Sequence, residues 1–524
     1  MRPPVHGDLF DLLEAAATDN PDRAHVTFAG RTWTYRETHE LSLRLAEGLR
    51  GRGLKAGERV GLCLPNTPAY FVICYALWRL GAVGVGMNPL YSQDHLCDQA
   101  RDAALSMLIA TESDAALPKV RIAAERAGCP LITCQADGAD LMAGAQGGTG
   151  RLGGILSATP LDTDHPRAGP AALAMLQYTG GTTGAPKGAM LSHGALLAAT
   201  RQGLACMHLV ERGADAWHAP APMSHISGLI NYACIATAAA GESLLVARFQ
   251  PDELLEQLRQ GRPTLLTAIP TMLTSLLSAA DLGGAQWGRV KHVLAGGAAT
   301  PLELWRGFKA ATGLCVQQAY GMTETCGAAA CMPFGDIEGH EEATGVAMPG
   351  ARIEIRSIED PAQCVALGET GEVCIGGDNL MDGYWQAKDP TAHLTPDGLM
   401  KSGDIGLLTA DGYLHVVDRL KDVVICSGYN VYPRVIDEAV LGHPAIREAI
   451  SLGVPDAYRG ETILVAAALR AGERLTIDEL QAFLVDKLSP IEMPKRLVIM
   501  DELPKSENGK LSRQLIRQSL QVAV

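Results

Sequence analysis

The stretch "LQYTGGTTGAPKGAML", Leu176–Leu191, sets four glycines, three threonines and one lysine into the eleven residues from Tyr178 to Gly188. The run before the loop, "AALAMLQYT", has the apolar texture of a buried strand. Beyond the loop, Ser192 stands as an N-cap and "SHGALLAAT" opens a helix. Strand, glycine-rich loop and helix form a setting in which backbone N–H groups surround phosphate. Glycine lets the backbone come close to an anion. Thr179, Thr182 and Thr183 add hydroxyl donors, and Lys187 adds a mobile cation. This is not a Walker A loop, which needs Gly-Lys-Ser/Thr: here Pro186 precedes Lys187 and Gly188 follows it.

Working outward, helix and strand patterns alternate. "SLRLAEGLRGRGL" is amphipathic, "ERVGLCLPN" a buried strand, "PAYFVICYALWRLGA" a helix, and "VGVGMNP" a strand ending in Asn-Pro. Apolar runs in "RDAALSMLIA" and "PLITCQ" repeat the rhythm. It predicts parallel sheets flanked by helices, with ligands at the carboxyl ends of the strands. Residues 136–170, rich in Gly, Ala and Asp, read as a loop region between subdomains. From Gly368 short strands and Asp-Gly turns predict hairpins. After Val431 the pattern is mixed α and β, with Thr476 and Glu479 spaced as a capping box. A boundary falls near Asp418 to Lys421.

The 524 residues exceed one ordinary core, so two or more domains are expected. A net charge of −14 argues against non-specific nucleic-acid binding, which rests on neutralising phosphate with Lys and Arg. Thirteen cysteines, an odd number without C-x-x-C pairs, predict free thiols in a reducing, cytoplasmic setting. The N-terminus lacks the apolar core of a signal peptide. The apolar run 69–87 contains Arg79 and reads as helix then strand; the run 229–240 falls short of the ~20 residues of a membrane span.

"YTGGTTGAPKG" resembles the phosphate-binding signature of the adenylate-forming enzymes: acyl-CoA synthetases, firefly luciferase and peptide-synthetase adenylation domains. Four more stretches follow in the family's order: "AYGMTET" (319–325), "KSGDIG" (401–406), "DRLKDVVICSGYNVYP" (418–433) and "LPKSENGKLSR" (503–513). The resemblance covers nearly the whole chain and is most like a bacterial acyl-CoA ligase. It implies an α/β protein. A large N-terminal domain of αβ-layered sheets with a β-barrel-like subdomain spans 1–419, and a small mobile α+β C-terminal domain spans 420–524.

The resemblance also implies roles. Thr179, Gly180, Gly181, Thr182, Thr183, Gly184 and Lys187 would cradle the phosphates of ATP. Gly297, Ala298 and Ala299 would underlie the adenine, with Gln318 reading it. Tyr320, Gly321 and Thr323 belong to the second motif, and Glu324 would hold Mg²⁺. Asp404 and Arg419 would take the ribose, Lys421 would be the hinge, and Lys510 would be the adenylation lysine. Ser427 and Gly428 would line the channel for coenzyme A, His225 would end the acyl pocket, and Arg248 would meet the phosphate of the CoA nucleotide. Catalysis would fall to Lys510, Thr183, Glu324 and His225.

The chemistry expected is activation of a carboxylic acid as an acyl adenylate with release of pyrophosphate, then transfer to CoA after the small domain rotates. Such a reaction needs positioning and charge stabilisation rather than a side-chain nucleophile. Many relatives have Ser where Gly180 stands; "TGGTTG" instead resembles bacterial medium- and long-chain fatty-acyl-CoA ligases. Ala319 stands where aryl-CoA ligases often have Gly. No Arg or Lys in "ISGLINYACIA" or "LAGGAAT" would receive a second carboxylate. A monocarboxylic fatty or aryl acid is therefore expected. The alternatives are loading of a separate carrier protein, or a non-catalytic nucleotide-binding regulator. Retention of Lys187, Glu324, Asp404, Arg419 and Lys510 together argues against the regulator. A monomer or homodimer is expected.

Overall fold

The structure, a computed structural model, describes residues 7–112, 115–142, 150–179, 187–279, 282–334, 339–426, 429–456, 458–506 and 509–520. Among these residues the strands form three sheets. In the six-stranded sheet, Leu131–Cys134, Met107–Thr111, Arg59–Cys63, Val83–Gly86 and Leu173–Thr179 run parallel, and Lys187–Ser192 closes the edge antiparallel. The thirteen-stranded sheet has two halves. One is parallel and contains Ala24–Phe28, Ala216–Ala219, Glu242–Leu245, Leu265–Ala268, His292–Gly296 and Gln317–Met322. The other is an antiparallel run from Gly327–Cys331 out to Ala351–Arg356. The antiparallel half packs its own apolar cluster, which includes Ile353, Ile355, Val373, Ile375, Met400 and Leu414.

The helix Pro68–Leu80 shows why the first two sheets stay together. All thirteen of its residues are buried, as expected of a helix that is apolar all round. It touches Ala24–Phe28 of one sheet and Val83–Gly86 of the other. Each large apolar side chain buried there, such as Phe71, Ile73 or Leu77, contributes about 1.5–3 kcal/mol. Arg79, 2% exposed, is tolerated because its guanidinium donates to the carbonyls of Asp162, Thr163 and His165. Among the described residues no helix is long and apolar enough to cross a membrane.

The third sheet, with Val424–Cys426, Tyr429–Val431, Ile446–Asp456, Gly460–Leu469 and Arg496–Ile499, builds the smaller C-terminal domain. Apolar clusters centred on Ile436, Val465 and Leu480 and on Leu452, Leu464 and Ile516 complete it. The capping box at Thr476 and Glu479 forms as its spacing predicts. All thirteen cysteines are unpaired.

Two expectations are corrected. The glycine-rich loop is not followed by a helix. It joins the two strands of a hairpin, with Thr179 opposite Lys187, and the helix His193–Cys206 begins only after the second strand, capped by Ser192. The helix N-terminus is therefore displaced from the loop by one strand. Nor does 136–170 separate subdomains. The strands before and after it belong to the same sheet, and the described part of the segment lies against the helices, where Arg44 and Arg79 bond to its carbonyls.

Candidate active site

The parallel strands converge at their carboxyl ends. The turns after Val83–Gly86, Ala216–Ala219, Leu265–Ala268, His292–Gly296 and Gln317–Met322, with the end of Leu173–Thr179 itself, all line one cavity of about 2130 Å³. The C-terminal domain forms its opposite wall through Lys510, Arg434 and their neighbours. This is the strand-end placement that the alternating pattern predicts.

Asp404 and Arg419 lie directly opposite each other on paired strands, so the hairpin register alone brings them together. Arg419 Nε is 3.4 Å from Asp404 Oδ1. The Tyr320 hydroxyl donates to Asp404 Oδ2 at 2.7 Å. Burial raises the Asp404 carboxyl above its usual range, against the pull of Arg419. The same burial, with Asp404 beside it, drives the Tyr320 phenol well up.

Lys510 enters from the small domain, where Ser506 N–H donates to Lys510 C=O at 2.7 Å. A Cβ on Gly297 would lie 3.0 Å from both Cε and Nζ of Lys510. A side chain there would press on the lysine, and at φ +77 Gly297 already adopts a conformation other residues avoid. Desolvation, then the charge of Arg419, lowers the Lys510 ammonium to about 8. Thr271 fastens the same segment from the large domain, its hydroxyl donating to Gly509 C=O at 3.3 Å.

Ser227 N–H donates to His225 Nδ1 at 3.2 Å, so the ring carries its proton on Nε2. Burial, then the charge of Lys510, lowers this histidine to about 3. It is neutral near pH 7. Gln318 is already committed: its side-chain carbonyl accepts from Thr300 N–H at 3.0 Å, holding the turn of Gly297, Ala298 and Ala299. Gly321 stands where a Cβ would strike Gly327 O at 1.9 Å. Thr323 is buried beside Glu324. Lys421 lines the cavity, its ammonium lowered by desolvation and by Arg419.

Glu324 and Lys187 are linked through Tyr384, a residue without a role in the sequence reading. The Tyr384 hydroxyl donates to Glu324 Oε1 at 2.6 Å, and Lys187 Nζ lies 5.2 Å from its ring centre. Asn66 and Thr271 also escape sequence reasoning. Asn66 is buried, accepts from Met223 N–H and donates to the Ala221 and Val246 carbonyls, tying down the turn that carries His225. The signal available for it was its place in "LPNTP", a polar residue inside an apolar strand-to-helix turn.

Arg248 is not gathered into the site: it is exposed in the bend after Glu242–Leu245, apart from the residues that line the cavity. Gly180, Gly181, Thr182, Thr183, Gly184, Ser427 and Gly428 lie outside the described residues. Among the described residues no three His, Cys, Asp or Glu side chains cluster as a metal site.

The AMP-binding enzyme family matches residues 13–385, and the AMP-binding enzyme C-terminal domain matches residues 435–510. A long-chain-fatty-acid–CoA ligase of Bacillus subtilis is 32% identical, over 96% of this chain and 93% of that protein. A feruloyl-CoA synthase of an Amycolatopsis species is also 32% identical, over 95% and 96%. The crystal structure of ATP-bound MatB from Rhodopseudomonas palustris superposes with a TM-score of 0.90 at 27% identity, covering 99% of each chain. Fold, strand-end cavity and matched sequence agree: the chain belongs to the AMP-binding enzyme family, and within it to the adenylate-forming acid–CoA ligases.

Proposed function

We propose that this enzyme activates an apolar monocarboxylic acid, fatty or aryl, as its adenylate and transfers the acyl group to coenzyme A. The observation that carries the substrate reading is the apolar end of the cavity. It is walled by helix His193–Cys206, the π-helical turn Leu229–Ala236 and the strands Gln317–Met322 and Gly327–Cys331. Ala199, Gly203, Ile230, Ile235, Ala328 and Met348 line it. Every arginine on the cavity wall is Arg419 or later in the chain, and Lys187 is the one lysine before it among the described residues. A second carboxylate at the apolar end would be buried without a cation, which is costly. The fatty-acid and feruloyl relatives both act on such acids by name.

ATP would lie with its ribose at Asp404 and Arg419, its adenine over 297–299, and its phosphates between Lys187 and the loop 180–186. Lys510 holds a positive charge beside Gly297, where the α-phosphate and the attacking carboxylate would meet. A fixed cation in a desolvated site favours a transition state that gathers negative charge. His225, neutral and locked by Ser227, would close the acyl pocket as a hydrogen-bond donor.

Glu324 suits Mg²⁺, which is usually held by one or two carboxylates together with substrate phosphates and water. When bound, the ion neutralises phosphate charge. We place the domain boundary at 419/420, where the large sheet ends at Arg419 and the short helical turn Leu420–Asp422 leads into the small sheet. Lys421 at that turn is the proposed hinge for the thioester-forming step.

The test is acid-dependent exchange between pyrophosphate and ATP. Lys510→Ala is predicted to lower it by about a hundredfold or more, the scale of losing a preorganised charge in an active site. ATP binding measured by calorimetry should persist. Exchange at the wild-type rate in that variant would remove Lys510 from the mechanism.

A further inference from the structure

We propose that Tyr384 is a positioning residue that holds Glu324 and Lys187 in register with each other, so that the cation-binding carboxylate and the phosphate-binding ammonium act on one triphosphate. The inference rests on the reading of Glu324 and Lys187 given above.

The backbone around Tyr384 is fastened on both sides. Toward the phosphate loop, Asp382 N–H donates to Met190 C=O, Met190 N–H to Gly383 C=O, and Trp385 N–H to Gly188 C=O. These bonds, with a bridge between Ala189 and Tyr384, add the segment as an extra partner to the strand Lys187–Ser192. Toward the turn Thr323–Thr325, Met381 N–H donates to Glu324 C=O at 2.9 Å. Asn379, fully buried, donates to Thr325 C=O at 2.9 Å. The one stretch 379–385 thus ties together the two elements that carry Lys187 and Glu324, and Tyr384 is the side chain it presents between them.

Each part of the ring has a partner. The hydroxyl fixes Glu324 Oε1 at 2.6 Å, which leaves Oε2 for a cation. The π face lies 5.2 Å from Lys187 Nζ, a distance at which an aromatic face attracts an ammonium. His393 meets the ring edge-on at 5.5 Å and limits its swing. A tyrosine kept only for packing would not need to aim its hydroxyl at a carboxylate.

The experiment compares Tyr384→Phe, Tyr384→Leu and Glu324→Gln in the full-length enzyme. ATP binding is followed by calorimetry across a Mg²⁺ titration, alongside pyrophosphate–ATP exchange and thermal melting. Tyr384→Phe keeps the ring and loses the hydroxyl. It should raise the Mg²⁺ concentration for half-maximal ATP binding about tenfold, the lower end of what loss of a ligand-orienting partner costs, with its melting midpoint unchanged. Tyr384→Leu should show the same Mg²⁺ shift and a further fall in exchange rate from loss of the ring face. If Glu324→Gln shifts the Mg²⁺ dependence and Tyr384→Phe does not, the proposal is wrong while the reading of Glu324 survives. If Glu324→Gln leaves the dependence unmoved, both fall together.

Discussion

Lys510 owes its chemistry to where it is held. An exposed lysine titrates near 10.5, and burial beside Gly297 with Arg419 nearby brings this one to about 8. Its folded-state value lies below the ordinary one, so the cation is present below pH 8 and lost above it. The kcat/KM for ATP should therefore fall by about tenfold per pH unit above that point, as the active protonated fraction does. Lys510→Arg should abolish the fall, because a guanidinium does not deprotonate in this range. A wild-type profile flat to about pH 9.5 would show that the charge of Lys510 is not what the step uses. That Lys510, Asp404 and Arg419 gather at one cavity was legible in the sequence because each sits in a short motif whose order along the chain is informative. Tyr384 was not. "GYW" carries no spacing signal, and its role arises from backbone bonds to Gly188 and Glu324, residues far from it in the chain.

At the scale of elements, helices were the most legible. Pro68–Leu80 shows in its apolar run between Pro68 and Gly81, and Ile477–Leu484 in its capping box. The strand Lys187–Ser192 was hidden because glycine and proline precede it and the Ser192 cap follows at once, so loop and helix seemed to abut. Its pairing with Leu173–Thr179 is set by tertiary contact rather than by its own propensity. The π-helical turn Leu229–Ala236 has no sequence signature; π-bulges of this kind occur often at functional sites. Close strand contact gives a direct test. A Cβ on Gly321 would fall 1.9 Å from Gly327 O and 2.6 Å from Ala328 Cα. Gly321→Ala should lower the melting midpoint by several degrees, the effect of an overpacking cost of about 1–3 kcal/mol. Gly307→Ala, inside helix Leu302–Thr312 and 3.6 Å from Leu277 Cδ1, should instead raise it slightly. A neutral Gly321→Ala would contradict the strand register.

For the whole molecule, the two domains meet around one cavity, and the bonds across that meeting describe an arrangement that sets Lys510 beside Gly297 of the large domain. Thr271 holds Gly509. Asp418, only 3% exposed, accepts from Arg434 N–H at 2.8 Å and so caps the helix Pro433–Leu441, which has no side-chain cap of its own. Sequence motifs revealed two bodies and their order; they did not reveal these fastenings, which depend on how the bodies dock. The apolar end of the cavity and the docked lysine lead to one claim, a CoA ligase for apolar monocarboxylic acids. The direct measurement is pyrophosphate release with ATP and Mg²⁺ across acids from acetate through long-chain fatty acids to benzoate and cinnamate types, with malonate included, each with and without CoA. The account predicts continuous turnover only with CoA, highest for an apolar monocarboxylate and negligible for malonate. Release that stops at one enzyme equivalent despite CoA, or a preference for malonate, would contradict it.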